Sequence, residues 1–150
     1  MKPDIWGPPI WTFMHTIVRK MKPQMYNRIG PIIFNTLVRI CGSLPCPNCT
    51  MHAMQFWRQV NIRGIRSKAD LEHILYLFHN IVNERLKKPA YDESRIIEYN
   101  HKSLIDAFNA FVNVYSRRVD VRQMTDSMQR TRIINDTRAM IRNNVGMFEW

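Results

Sequence analysis

The chain has 150 residues, long enough for one domain with a real core, and 45% of them are apolar. Its formal charge of +10 is spread along the chain, which suits an anionic ligand, an acidic partner, a nucleic acid or simply a solvated basic surface. No apolar run approaches the ~20 residues that span a bilayer, and Pro3, Asp4, Trp6, Pro8 and Pro9 break up any secretory stretch at the start, so the expectation is a cytoplasmic protein without signal peptide or transmembrane segment.

After Pro8 and Pro9, apolar residues at 10, 11, 13, 14, 17, 18 and 21 lay out a broad helical face. Pro31 opens a second segment with apolar residues at 32, 33, 34, 37, 38, 40 and 41, and Gly42 follows as a C-cap. A third helix is predicted from about Cys46 to Val60. Ser67 and Asp70 make a box-like start for the best-patterned helix. There Leu71, Ile74, Leu75, Phe78, Val82 and Leu86 repeat at helical spacing until Pro89. Leu104, Ile105, Phe108, Phe111, Val112 and Tyr115 mark a fifth helix. Residues 121–143 carry a weaker stripe through Met124, Met128, Ile134 and Ile141. Phe148 and Trp150 close the chain as residues that either dock or fray. Strand signals are poor throughout. The fold class read from this pattern is all-α, with four helices on short connections forming a compact bundle.

The chemistry concentrates at Pro45-Cys46-Pro47-Asn48-Cys49. A helix starting near Cys46 puts the two sulfurs one turn apart on one face, where they can close a disulfide. The helix N-terminus would favour a thiolate there. Three readings compete. Cys41, Cys46, Cys49 and His52 supply enough ligands for zinc, but crowd into twelve residues across a helix end. A thioredoxin-like site needs a βαβ pattern, and no strands are in sight. The third reading is a dithiol beside a bound aromatic cofactor, with His15, His52, His79, Asn80 and Asn83 lining the cavity. Each residue also has a plain structural role available. Trp11 and His15 share a face and fit a core; His79, Asn80, Asn83 and Lys87 fit an exposed flank, although two Asn in one good helix ask for a reason.

Taken in order, four motifs resemble the Erv/ALR family of FAD-linked sulfhydryl oxidases. Trp6-Gly7-Pro8-Pro9-Ile10-Trp11-Thr12-Phe13-Met14-His15 resembles its opening motif, an aromatic-Gly start followed by W-x-x-x-H. Pro45-Cys46-Pro47-Asn48-Cys49, with His52 behind it, resembles its redox motif. His79-Asn80-Ile81-Val82-Asn83 resembles its HNxVN motif. Arg85-Leu86-Lys87-Lys88-Pro89-Ala90-Tyr91-Asp92 resembles the R-L-G-K-P-x-F/Y-D that follows, with Lys87 where the family usually has Gly. The context looks most like members carried by large nucleocytoplasmic DNA viruses.

The resemblance implies a four-helix bundle with a short fifth helix, cradling FAD at one end and forming a homodimer. It implies that Cys46 and Cys49 are the redox pair, with Cys49 against the flavin. Gly7, Trp11 and His15 would contact the cofactor from the first helix, and His52 would lie near its nucleotide part. His79, Asn80 and Asn83 would hold the adenosine and ribose, and Lys88 and Tyr91 would flank the cofactor. Electrons would pass from a dithiol substrate to FAD and on to O2, giving H2O2. The expected division is an oxidase domain over 1–98 and a helical extension over 99–150, packed on the bundle or at a dimer interface. The family's aromatic-rich tail is not recognisable, so some adenine contacts stay unassigned. No metal is expected.

Three cysteines allow at most one intrachain disulfide. Cys41 reads as a buried small hydrophobe, and a lone thiol cannot be the shuttle dithiol that many family members carry. A separate thioredoxin- or glutaredoxin-like carrier is therefore the expected electron donor. The alternative from another class is a basic helical nucleic-acid-binding or virion structural protein without oxidase activity. Charge favours it, but Lys and Arg do not gather on one helix and no binding motif appears, so no specific nucleic acid is predicted.

Overall fold

The computed structural model describes residues 2–117 and 124–150. Among the described residues six α-helices follow in order: α1 Pro3–Lys20, α2 Tyr26–Cys41, α3 Pro47–Trp57, α4 Lys68–Arg85, α5 Leu104–Tyr115 and α6 Met124–Asn143. A 3-10 segment, Glu93–His101, links α4 to α5. Among the described residues there is no strand, only an isolated antiparallel bridge between Met21 and Phe148. The all-α expectation is met. No helix is long and apolar enough to cross a membrane among the described residues. The start of the stretch expected over 121–143, and the side chain of Met124, lie outside them.

Two helices begin earlier than the prolines indicated. α1 opens at Pro3 and carries Pro8 and Pro9 inside it; α2 opens at Tyr26 and carries Pro31. An internal proline deletes one i→i−4 bond. Burial offsets that loss in α1, where Trp6 and Ile10, four apart on one face, are 6% and 2% exposed. Each such side chain contributes about 1.5–3 kcal/mol when removed from water. In α2 the anchor is Tyr26. Its hydroxyl donates to the Ile65 carbonyl at 2.9 Å, and its ring lies against Gly30, where a Cβ would collide with it. Gly42 does cap α2, in an ordinary right-handed conformation with φ −76°.

α1 is the central element, with every residue from Phe13 to Val18 buried. α5 packs along it, stacking Phe111 on Phe13 at 4.7 Å between ring centroids. α4 and the 3-10 segment cover its other flanks. α6 lies on α2, burying Ile133, Ile134 and Thr137 and pairing Asp136 with Arg39 at 2.8 Å. Phe148 docks, 1% exposed, through the bridge to Met21, whereas Trp150 stays largely exposed.

The end of α4 shapes the site. The Lys87 N–H donates to the Glu84 carbonyl at 3.1 Å and the Lys88 N–H to the Asn83 carbonyl at 2.8 Å, the paired bonds of a Schellman turn. Such a turn needs a left-handed residue between them, and Lys87 takes it with φ 57°. This is the position where the resemblance led to Gly. Pro89 follows, as befits a chain that cannot continue the helix.

Candidate active site

Helices α1, α3 and α4, with the end of α2, meet at a cavity of about 470 Å³. The first half of α1 supplies Trp6, Gly7 and Trp11; the start of α3 supplies Cys49; α4 and its turn supply His79, Asn83, Arg85 and Lys88. Tyr91, Arg95 and Tyr99 complete the wall from the chain after α4. The volume lies within the ~300–1,000 Å³ usual for ligand clefts.

The dithiol sits at a helix start. Cys46 is the N-cap of α3, and its sulfur accepts the Cys49 N–H at 3.2 Å, the bond a Ser or Asp oxygen more often makes. Pro47 occupies the first helical position, where its missing N–H costs nothing. Cys46 is half-buried and outside the cavity wall; Cys49 is buried and part of it. Both thiols are free, as is the buried Cys41, which also lines the cavity. The helix terminus and burial pull the Cys49 thiol in opposite directions. Burial, with Cys46 adding to it, pushes its thiol up to about 11, and Arg85 opposes the rise.

The histidines are held neutral. The His15 Nε2 and His79 Nδ1 are 2.9 Å apart, one donating its proton to the other's lone pair. Burial, reinforced by His79, lowers His15 to about 3; burial, reinforced by Arg95 and Lys88, lowers His79 to about 4. Trp11 stacks on His79 with centroids 3.9 Å apart and planes 5° from parallel, and Tyr91 stacks on His79 at 4.8 Å. His15 stacks against Tyr91 and Tyr99 at 5.3 and 5.0 Å, behind the wall.

Of the residues expected to bind a cofactor, Gly7, Trp11, His79, Asn83, Lys88 and Tyr91 line the cavity with Cys49, and His15 backs it through His79. Two stand elsewhere. The Asn80 amide donates to the Tyr91 carbonyl at 2.9 Å and accepts the Tyr91 N–H at 2.6 Å, so it ties the wall together from outside. His52 is half-buried on α3 away from the cavity. Among the described residues, no three His, Cys, Asp or Glu are placed to hold a metal. Trp6, Arg85, Arg95 and Tyr99 are among the lining residues not singled out from sequence. Trp6 and Arg85 lie inside quoted motifs, while Arg95 and Tyr99 lie in a segment with no helical period to expose them.

The wall fits a flat heteroaromatic ligand that carries anionic groups. The Trp6 indole N–H is buried in it without a partner, and a Cβ added at Gly7 would meet nothing within 4 Å. Aromatic faces bound the space, and Arg85, Lys88 and Arg95 bring positive charge.

A profile of the Erv1 / Alr family matches residues 8–103. The chain belongs to the Erv1/Alr family. The matched stretch holds all three cysteines, the His79–Asn83 strip and all of α1 from Pro8 onward, and ends where α5 begins. Among curated proteins similar to the chain, one of Invertebrate iridescent virus 6 bears the name "Putative FAD-linked sulfhydryl oxidase 347L" and is 32% identical over 98 residues, 61% of this chain and 88% of that protein. A protein of African swine fever virus, named FAD-linked sulfhydryl oxidase, is 27% identical over 118 residues, 70% of this chain and 97% of its own length. No solved structure matches the chain significantly.

Proposed function

We propose that this protein is a FAD-dependent sulfhydryl oxidase whose cavity holds FAD and whose Cys46–Cys49 pair exchanges disulfides with a dithiol substrate. The carrying observation is the place of Cys49, buried in the wall of an aromatic, cation-bearing cavity, with Cys46 one turn away and more accessible. The names of the viral relatives support the same reading.

Gly7, Trp11, His79, Asn83, Lys88 and Tyr91 would hold the cofactor, with Trp6, Arg95 and Tyr99 completing the cradle. Neutral His79, clamped between Trp11 and Tyr91, offers a flat uncharged face. When bound, FAD would supply a two-electron acceptor for the Cys46–Cys49 dithiol, one that O2 can reoxidise with release of H2O2.

In the protein's own steps, a substrate thiolate attacks the Cys46 sulfur of the oxidised pair. The bond from substrate sulfur to Cys46 forms, the Cys46–Cys49 bond breaks, and Cys49 leaves as a thiolate. A second substrate thiol then displaces Cys46, releasing the substrate as a disulfide. The first attack falls on Cys46 because Cys49 is covered.

Cys41 is fully buried, and burial pushes its thiol up to about 12. It serves no relay from there, and the sequence given holds no other dithiol, so we assign electron delivery to a separate thioredoxin- or glutaredoxin-like carrier. Residues 1–98 form the oxidase unit and 99–150 the extension; the packing of α5 on α1 and of α6 on α2 supports an extension laid on the bundle. A homodimer, and a setting in the host cytoplasm or virion, follow from likeness to the family and its viral members.

The deciding experiment is direct. The purified protein is expected to be yellow with stoichiometric FAD and to consume oxygen when given a small dithiol. A colourless protein, or one carrying zinc instead, would sink the oxidase reading. Rapid oxidation of folded client proteins with no carrier present would overturn the carrier assignment.

A further inference from the structure

Arg85 is the last residue of α4, placed by the Schellman turn that follows it. It lines the cavity together with Cys49. Among the described residues, the ion pairs engage Arg19, Arg39, His73, Lys88 and Arg95, and none engages Arg85. A half-buried guanidinium without a carboxylate is costly unless another group uses its charge. It shares the cavity wall with the Cys49 thiol, whose upward shift it opposes. Lys88 lies in the same wall, but its ammonium is turned to Asp4 at 3.0 Å, and Arg95 pairs with Glu98.

We propose that Arg85 is the counter-cation of the Cys49 thiolate, holding the charge that appears on that sulfur when a substrate opens the Cys46–Cys49 bond. The proposal rests on the oxidase reading for its purpose, though not for its test. The electrostatic argument is simple. Opening the bond transfers one negative charge to Cys49, at a buried position where Cys46 and the loss of water both disfavour it. The ionisable groups that share the wall are Cys41, His79, Arg85, Lys88, Tyr91, Arg95 and Tyr99. Cys41 and His79 are neutral, the two tyrosines are held neutral by burial, and Lys88 and Arg95 have carboxylates of their own. Arg85 alone of the wall's cations has no carboxylate partner among the described residues. A guanidinium presents a planar fork of N–H donors, which suits an anionic sulfur.

The test measures the thiol itself. In the full chain carrying Cys46→Ser, as purified, the rate of alkylation by a small reagent is followed against pH, and peptide mass spectrometry separates Cys49 from buried Cys41. Arg85→Met is expected to raise the midpoint for Cys49 by about 1 unit or more, as removal of an adjacent opposite charge does. Arg85→Lys should restore part of that shift. Lys87→Met, which removes an exposed cation two residues on, should leave the midpoint in place. An unchanged midpoint in Arg85→Met with its helical circular dichroism intact overturns the proposal. So does an equal shift in Lys87→Met, since the effect would then be the general field of the basic chain. Bound flavin is recorded separately by colour, so a failure of the oxidase reading and a failure of the Arg85 assignment give different results.

Discussion

The Trp11 indole and the His79 imidazole lie face to face, with centroids 3.9 Å apart and planes 5° from parallel. This stack pins α1 to α4 across the cavity, and the bond from His79 to His15 pins it a second time one turn further along α1. Both histidines are held neutral there.

That neutrality makes stability depend on pH in a defined direction. Both folded values lie below the ordinary 6.5, at about 3 for His15 and about 4 for His79. The unfolded chain therefore binds protons that the folded chain refuses. The contribution is complete above pH 6.5 and is lost as pH falls toward 4, with a slope of about 1.4 kcal/mol per pH unit for each histidine. Urea unfolding at pH 7 and pH 5 should show the loss, and His79→Gln should flatten it. A stability independent of pH across this window would show that the pair is not buried neutral.

Cys46 has a structural role besides its chemistry, since its sulfur caps α3. In the reduced protein, Cys46→Ala should lower stability by about 0.5–2 kcal/mol, the usual cost of removing an N-cap, while Cys46→Ser should lose little. Thermal melts of the two variants side by side decide it; equal melting temperatures would mean the sulfur contact contributes nothing.

Lys87 takes a conformational penalty at φ 57°, and among the described residues its side chain makes no hydrogen bond or ion pair that would offset it. Lys87→Gly should stabilise the fold by on the order of 0.5–1 kcal/mol, the relief of left-handed strain less the entropy of glycine. Lys87→Ala should bring no such gain, because its Cβ keeps the strain. Chemical denaturation of the three proteins orders them, and a destabilised Gly variant would contradict the turn assignment.

Gly7 and Cys49 separate binding from turnover. A Cβ at Gly7 meets nothing within 4 Å, so Gly7→Ala should keep or slightly raise the melting temperature of ligand-free protein. Gly7→Leu, which fills cavity space, should retain at least about tenfold less flavin, the loss of ~1.4 kcal/mol or more of binding. Cys49→Ser should stay yellow and lose turnover with a small dithiol; a fully active Cys49→Ser protein would refute the assigned role.

Much of the site was legible in the chain because its motifs are local. Cys46 to Cys49 and His79 to Asn83 are spaced by single helical turns, so a helix fixes which of their side chains share a face. The helices themselves showed through their apolar periods, except at α1 and α2, where internal prolines hid the true starts behind burial of Trp6, Ile10 and Tyr26. Arg95 and Tyr99 did not show, because a 3-10 segment lacks the period that marks an α-helical face.

The sequence by itself determined the all-α class, the dithiol at a helix start and the His/Asn strip on one flank, since propensity, spacing and caps act between near neighbours. Only the tertiary structure decided what those groups face. Asn80 turns to the Tyr91 backbone and His52 stands away from the cavity, whereas Arg85, 36 positions from Cys49 in the chain, comes to lie beside it. Burial follows from packing, and burial is what leaves two histidines neutral and makes the Cys49 thiolate depend on a neighbouring cation.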